Sequence, residues 1–277
     1  MQKIAGGNWK PLNDINEIEP EDGADLITTI DINIQDVAEH ALQTQLEKHG
    51  AHHGCAVLME VQTGAIKAIA NLTLQESGNY AETYNYAVGS TTEPGSTFKL
   101  ASMICLLEDG YVDVTDTVDI EGGIKKYYNE TMKDSKTGVY NKITVAKAFE
   151  ISSNVGISKL VNQYYREKPE KMVDRLKKMG LDQPLGLQIK GEGQPSIKSP
   201  DNPTWSGITL PWMSIGYEVL QTPLQILAFY NAIANNGVMV QPKIVNAIKK
   251  HGKIVQEFPT VVLNDKVCSQ KTVDKVK

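Results

Sequence analysis

One serine and one lysine of this chain stand at a spacing that can do chemistry. Ser96 and Lys99 lie in the stretch EPGSTFK, residues 93–99, where a Pro-Gly turn leads into an apolar segment. If that segment is helical, positions i and i+3 share one face, so the lysine amine comes close to the serine hydroxyl. A lysine desolvated by apolar neighbours has a lowered pKa and can accept the proton of a serine. The pair therefore predicts a nucleophile, Ser96, with Lys99 as its base.

The SxxK spacing alone is weak evidence, because average residue usage gives about one chance match in a chain of this length. A serine at a helix start is also most simply an N-cap, whose hydroxyl accepts a backbone N–H. A second polar cluster, Ser152, Ser153 and Asn154, falls at a break between two helical patterns. On its own this cluster would also be interpreted as capping. Only the combination of both clusters favours an active site.

The patterns around these residues predict the elements that position them. Apolar residues keep helical spacing from Asp31 until Gly50, and an apolar helix runs from Ser96 to Gly110. Sheet patterns lie at both ends of the chain and helical patterns between them, which predicts an α+β fold rather than a βαβ alternation. The remaining predicted elements are a hairpin of residues 55–61 and 65–72 turning at Gly64, helices over 144–151, 155–165, 169–180 and 222–237, and a second hairpin of 243–250 and 253–258.

Composition excludes several classes of function. The chain has 277 residues, a formal net charge of -5 and interspersed charges, so it offers no basic surface for nucleic acid. Its three cysteines form no CxxC pair and its histidines lack metal-ligand spacing, so we expect no disulfide framework, no metal and no cofactor. No apolar run is long enough to cross a membrane, and no export signal follows Met1.

Four segments occur in an informative order along the chain. They are TTIDINIQ (28–35), EPGSTFK (93–99), SSNVG (152–156) and QTPLQ (221–225). Together they resemble the transpeptidase domain of class B penicillin-binding proteins, most closely the division-type septal enzyme. The resemblance implies the penicillin-binding and serine β-lactamase-like fold, an antiparallel sheet flanked by a large helical block. It makes residues 23–277 the transpeptidase domain and residues 1–22 a lead-in from an upstream pedestal.

The resemblance also implies roles for the candidate residues. Ser96 would be acylated by the D-Ala-D-Ala end of a peptidoglycan stem peptide, with Lys99 as base. Ser152 would relay a proton to the leaving amine, and Asn154 would hold an amide of the peptide. The acyl group would pass to the amine of a neighbouring stem, and β-lactams would mimic the donor. The expected protein partners are membrane-bound proteins of cell-wall synthesis and division, on the outer, periplasmic face of a bacterial cytoplasmic membrane.

The sequence departs from the family pattern at its third motif, KTG, which normally follows SxN on a strand of the cleft. Residues 136–138 spell KTG but precede SSN in a segment rich in turn residues, which predicts a surface turn. Residues 77–79 spell SxN but precede Ser96 in a polar loop. Because no KTG follows Asn154, we expect the chain to end before that strand and to be weakly active or inactive alone. Glu218 also stands where the family more often has glycine.

Two alternatives stay open at this stage. A class D-like serine β-lactamase shares the fold and SxxK but hydrolyses its acyl-enzyme quickly. A non-catalytic scaffold of the cell-wall machinery would keep the fold and lose the chemistry, and the missing third motif is its only support. Asn154 and the TTIDINIQ segment favour the transpeptidase.

Overall fold

The computed structural model describes residues 2–3, 5–10 and 22–277. Its helices are α1 (Ile32–His49), α2 (Tyr86–Gly89), α3 (Lys99–Glu108), α4 (Val145–Glu150), α5 (Asn154–Tyr165), α6 (Pro169–Lys178), α7 (Thr209–Met213), α8 (Pro223–Ala234) and α9 (Gln270–Val276). Its strands are β1 (Gln2–Lys3), β2 (Trp9–Lys10), β3 (Asp25–Thr28), β4 (His53–Met59), β5 (Ile66–Leu74), β6 (Tyr80–Ala81), β7 (Thr117–Asp119), β8 (Ile124–Tyr127), β9 (Glu130–Lys133), β10 (Lys142–Thr144), β11 (Ser196–Ile197), β12 (Val219–Leu220), β13 (Met239–Val240), β14 (Val245–Lys250), β15 (Lys253–Glu257) and β16 (Val262–Asn264). This mixture of helices and antiparallel pairs confirms the α+β class.

Helix α3 forms the centre of the helical block. Its residues from Lys99 to Leu106 are all buried, and it packs against α5, α6 and α9. Helix α5 approaches α4 closely at Gly156, where an added Cβ would lie 2.9 Å from the Ala148 Cβ. The small residue at that position therefore lets α5 pack closely against α4.

The largest sheets among the described residues are two three-stranded antiparallel ones, β4-β5-β6 and β15-β14-β3. Both predicted hairpins are confirmed, with β4 paired to β5 and β14 paired to β15. The two sheets meet where the Ile66 amide donates to the Lys243 carbonyl at 2.9 Å. The buried Thr29 hydroxyl also joins them, donating to the Ile66 carbonyl at 2.6 Å. The pairing of β14 with β3 was not predicted.

Local signals fixed the ends of the long helices. The Asp31 side chain accepts the amides of the first turn of α1, and Gly50 ends that helix with φ of 58°. Thr222 and Gln225 form a reciprocal capping box at the start of α8, as the sequence predicts. The apolar face predicted for α1 is only partly buried, since Val37 is 69% exposed.

The predicted lead-in of residues 1–22 lies mostly outside the described residues. Its described part pairs Gln2–Lys3 with Trp9–Lys10 in a two-stranded antiparallel unit. Among the residues that the structure describes, no helix is long and apolar enough to span a membrane.

Candidate active site

Ser96 lies in a 3₁₀ turn, Gly95–Phe98, that leads directly into α3. The N-cap interpretation is wrong, because no side chain caps either this turn or α3, and the exposed Ser96 hydroxyl accepts instead from Lys99. Helix α3 starts three residues later than the sequence suggested, at Lys99. The hydroxyl is thus free of a capping role, and Ser96 is exposed to solvent.

A close backbone contact sets the position of the Ser96 turn. The Gly95 amide donates to the Gly216 carbonyl at 3.1 Å. Gly216 has φ of 89°, and a Cβ at that position would overlap the Gly95 carbonyl oxygen. Glycine is therefore required there twice, for the left-handed backbone and for the close approach.

Lys99 is buried, with 1% of its surface exposed, yet its amine lies among four oxygen atoms. The Nζ atom is 3.1 Å from Ser96 Oγ and 2.9 Å from Ser152 Oγ. It is also 2.6 Å from the Ser152 carbonyl oxygen and 2.6 Å from Asn154 Oδ1. The structure thus brings together all four residues that the sequence singled out.

Counting donors shows what this amine can do. The Ser152 carbonyl and Asn154 Oδ1 can only accept, and they are the two nearest oxygens, so they take two N–H groups. A neutral amine then keeps its lone pair for a hydroxyl, and Ser96 Oγ stands within range of it. Burial lowers the pKa of Lys99 to about 8, while the nearby carboxylate of Asp134 raises it. A neutral base is thus accessible near physiological pH.

The second polar cluster forms a strained turn between α4 and α5. Ser152 has φ of 55°, a left-handed conformation that residues other than glycine rarely adopt. Ser153 caps α5 by accepting the Gly156 amide at 2.9 Å. The Asn154 amide spans the site, since its Nδ2 donates to the Lys133 carbonyl at 2.7 Å while Oδ1 accepts from Lys99. A substrate amide would use the second lone pair or the second N–H of Asn154.

Asp134 is the site residue that sequence reasoning missed. It directly follows β9 and accepts the Ser153 hydroxyl at 2.7 Å and the Val155 amide at 2.9 Å. No periodicity or motif marks it, because residues 111–142 gave only mixed patterns. In the structure this region holds the hairpin of β8 and β9, which carries the Asp134 carboxylate to the turn before α5.

The two misplaced motifs lie in exposed connections, as the sequence predicted. Residues 136–138 are exposed in the connection after β9, and residues 77–79 are exposed in the turn between β5 and β6. Among the residues outside the gaps at 1, 4 and 11–21, no group of three or more His, Cys, Asp or Glu side chains is placed to hold a metal ion.

The departure at Glu218 has a structural account. Glu218 has φ of 63°, so its backbone adopts the conformation in which glycine is favoured. Its side chain pairs with Lys198, and its amide donates to Glu93 Oε1 at 3.1 Å. The contact with Glu93 ties this segment to the residues just before Ser96.

Comparisons with known proteins identify the family of this chain. A model of the penicillin binding protein transpeptidase domain matches residues 54–277. Penicillin-binding protein PbpB of Mycobacterium tuberculosis is 32% identical over 231 residues, 81% of this chain and 33% of that protein. Peptidoglycan D,D-transpeptidase FtsI of Escherichia coli K12 is 28% identical over 235 residues, 82% of this chain and 38% of that protein. The chain therefore spans well under half the length of these two relatives.

A solved structure shares the fold over nearly the whole chain. Penicillin-binding protein 3 of Mycobacterium tuberculosis, complexed with ampicillin, superposes with a TM-score of 0.78 at 30% identity. The match covers 91% of this chain and 56% of that one.

Proposed function

Because the chain belongs to the penicillin-binding protein transpeptidase family, we propose that it carries the catalytic core of a peptidoglycan D,D-transpeptidase. Its substrates in this proposal are peptidoglycan stem peptides, and β-lactams acylate the same serine. One observation carries the proposal: the amine of buried Lys99 lies 3.1 Å from Ser96 Oγ, with two obligate acceptors taking its N–H groups. That geometry leaves a lone pair for the hydroxyl proton.

The first half of the reaction forms an acyl-enzyme. Lys99 Nζ accepts the Ser96 proton as Oγ attacks the carbonyl carbon of the penultimate D-Ala. The C–N bond to the terminal D-Ala then breaks, and the departing amine takes a proton relayed through the Ser152 hydroxyl, which lies 2.9 Å from Nζ. The products are a Ser96 ester, free D-Ala and a neutral Lys99.

The second half reverses these steps with a new amine. The amino group of a neighbouring stem attacks the ester carbonyl and gives up one proton to Lys99. The C–O bond to Ser96 breaks, and Lys99 returns the proton to Oγ. A β-lactam enters the first half, but its opened ring keeps the leaving nitrogen attached, so the acyl-enzyme persists.

Mass spectrometry tests the assignment of Ser96. After treatment with penicillin and digestion, we expect the adduct on the peptide that contains Ser96. Ser96→Ala should abolish labelling, whereas Ser77→Ala, at the exposed serine of the misplaced SxN sequence, should leave it unchanged. An adduct on a residue other than Ser96 rejects the proposal.

Nitrocefin kinetics separate a transpeptidase from a β-lactamase. A transpeptidase should give a burst of about one equivalent followed by very slow turnover, because its site does not activate water against the ester. Sustained rapid hydrolysis would instead assign the chain to the β-lactamase class.

The location of the protein is also part of this proposal. Peptidoglycan lies outside the bacterial cytoplasmic membrane, so a chain acting on it must face outward, where membrane-bound division proteins are its expected partners. The similarity to FtsI supports a division role. Fractionation of the source bacterium with an antibody to this chain should recover it with the cytoplasmic membrane, and recovery in the cytosol would reject this location.

A further inference from the structure

The carboxylate of Asp134 contacts the turn before α5 at two points. Oδ2 accepts the Ser153 hydroxyl at 2.7 Å, and Oδ1 accepts the Val155 amide at 2.9 Å. The side chain is half-buried. Its own backbone is fixed as well, since the Asp134 amide donates to the Gly123 carbonyl at 2.9 Å. The segment that directly follows β9 thus presents both carboxylate oxygens to residues 153–155.

This contact bears on a turn that is strained. The left-handed backbone of Ser152 costs about 1–3 kcal/mol and persists only where the surroundings hold it. The Ser152 amide donates to the Phe149 carbonyl at 2.9 Å, which holds the start of the turn, and Asp134 holds its far side. This strained turn supplies two oxygen atoms to the Lys99 amine. They are the Ser152 carbonyl oxygen and Asn154 Oδ1, each 2.6 Å from Nζ.

We propose that Asp134 is a positioning residue of the active site, whose carboxylate fixes residues 152–154 in the strained turn that holds the Lys99 amine beside Ser96. Testing this role by acylation kinetics rests on the proposed function, whereas testing it by NMR titration of Lys99 does not. Asp134 acts through the turn and touches neither the nucleophile nor its base by a hydrogen bond.

The charge of Asp134 also affects the pKa of Lys99, an effect that a purely structural residue would not have. The groups that face the Lys99 amine are Ser96, Ser152 and Asn154, which are neutral, with the charge of Asp134 close by. The neighbouring charged residue on β9, Lys133, has an exposed side chain and contributes its carbonyl to Asn154. Removing the negative charge should therefore lower the pKa of Lys99 further, because Asp134 raises it.

Two variants separate position from charge. In Asp134→Asn, the amide oxygen can accept the Val155 N–H and the NH₂ group can donate to Ser153 Oγ, so the turn is kept and the charge is lost. In Asp134→Ala, the Val155 N–H and the Ser153 hydroxyl both lose their acceptor. Asp119→Asn is the matched control, because Asp119 is a carboxylate at the end of β7 that accepts the Glu121 amide in a neighbouring turn.

The test measures penicillin acylation rates of the chain across pH. In Asp134→Asn the rise of the acylation rate with pH (the acid limb) should move to lower pH. In Asp134→Ala the acylation rate at high pH (the plateau) should fall about 10²-fold, as it does when a reacting group is misplaced. The Asp119→Asn control should match the wild type. An unmoved limb in Asp134→Asn, or an unchanged plateau in a folded Asp134→Ala, overturns the inference.

A second measurement keeps the inference distinct from the proposed function. NMR titration of the isotope-labelled Lys99 side chain reports its pKa without any substrate. If penicillin acylates a residue other than Ser96, the transpeptidase proposal fails, while a lower Lys99 pKa in Asp134→Asn still supports the inference. An equal Lys99 pKa in the wild type and in Asp134→Asn overturns the inference. This comparison does not depend on whether Asp134→Ala folds.

Discussion

The chemistry of the site depends on one buried amine. Burial lowers the pKa of Lys99 to about 8 although the Asp134 carboxylate acts in the opposite direction, so both the charged and the neutral amine are accessible near physiological pH. The sequence suggested desolvation from the apolar neighbours of Lys99, and the 1% exposure agrees with it. It did not suggest the Ser152 carbonyl as a partner, since backbone groups leave no trace in a motif.

Lys99→Met keeps the apolar stem and removes the base. Acylation of Ser96 by a fluorescent penicillin should fall by roughly 10²–10⁴-fold, the range for loss of a general base. Thermal unfolding should stay close to the wild type, because the thioether fills much of the same volume. Lys136→Met, at the exposed lysine of residues 136–138, is the control and should acylate normally. A normal rate in Lys99→Met would remove this residue from the mechanism.

The pH dependence of acylation follows from the same amine. Below its pKa the protonated Lys99 has no lone pair and cannot accept the Ser96 proton. Because burial lowers that pKa to about 8, the acylation rate of the free protein should rise with pH and level off above about pH 8. Stopped-flow acylation from pH 6 to 10 measures this limb. A limb centred near the ordinary value of 10.5 would contradict the neutral-base role.

At the scale of elements, sequence patterns predicted most helices and both hairpins because each carries its own boundary signal. The Asp31 cap, the Gly50 stop and the Thr222 capping box all act within a few residues of the element they end. Contacts between distant segments left no such signal. The contact of Gly216 with Gly95 joins residues 121 positions apart, and the contacts of Asp134 join residues about 20 positions apart. Both contacts position the residues of the site. The family resemblance, in contrast, was visible in the order of four short segments along the chain, and the match of the family model to residues 54–277 confirms it.

Gly216→Ala tests the element contact that positions Ser96. An alanine at φ of 89° costs about 1–2 kcal/mol in backbone strain. Its Cβ also overlaps Gly95, so the Ser96 turn must shift, and acylation should drop by about 10²-fold.

Gly110→Ala is the matched control for this substitution. Gly110 has φ of 67° just after α3, but a Cβ there meets open space. It should lose similar stability in urea unfolding and keep its acylation rate. Equal acylation by Gly216→Ala and Gly110→Ala would show that the Gly95 contact does not set the site.

At the scale of the whole molecule, α3 connects the site to the packing of α9. Nine residues of helical rise place Glu108 about 14 Å from Lys99. Glu108 Oε1 accepts the Ser269 amide at 3.0 Å and the Ser269 hydroxyl at 2.6 Å, and it also accepts the Thr272 hydroxyl. One carboxylate therefore satisfies the N-terminal groups of α9 and fastens that helix to the end of α3 opposite the nucleophile.

Glu108→Gln should separate stability from catalysis in this chain. Burial raises the pKa of Glu108, but the hydrogen bonds from Ser269 and Thr272 outweigh it and hold the pKa below its ordinary value of 4.5. The folded state thus binds fewer protons than the unfolded chain at acid pH, so this carboxylate stabilises the fold above about pH 4.5 and loses that effect as pH falls through its folded pKa. At pH 7 the variant should lose about 1.5–3 kcal/mol of unfolding free energy, the range for hydrogen bonds to a charged group.

Urea unfolding at pH 3 and pH 7 tests this prediction. At pH 3 the difference in unfolding free energy between Glu108→Gln and the wild type should be smaller than at pH 7. The control Glu257→Gln, at an exposed position on β15, should match the wild type at both pH values. Acylation of folded Glu108→Gln should remain normal, because Lys99 and its four oxygen neighbours lie at the other end of α3. If the variant differs from the wild type by the same unfolding free energy at both pH values, the charge of Glu108 does not hold α9 in place.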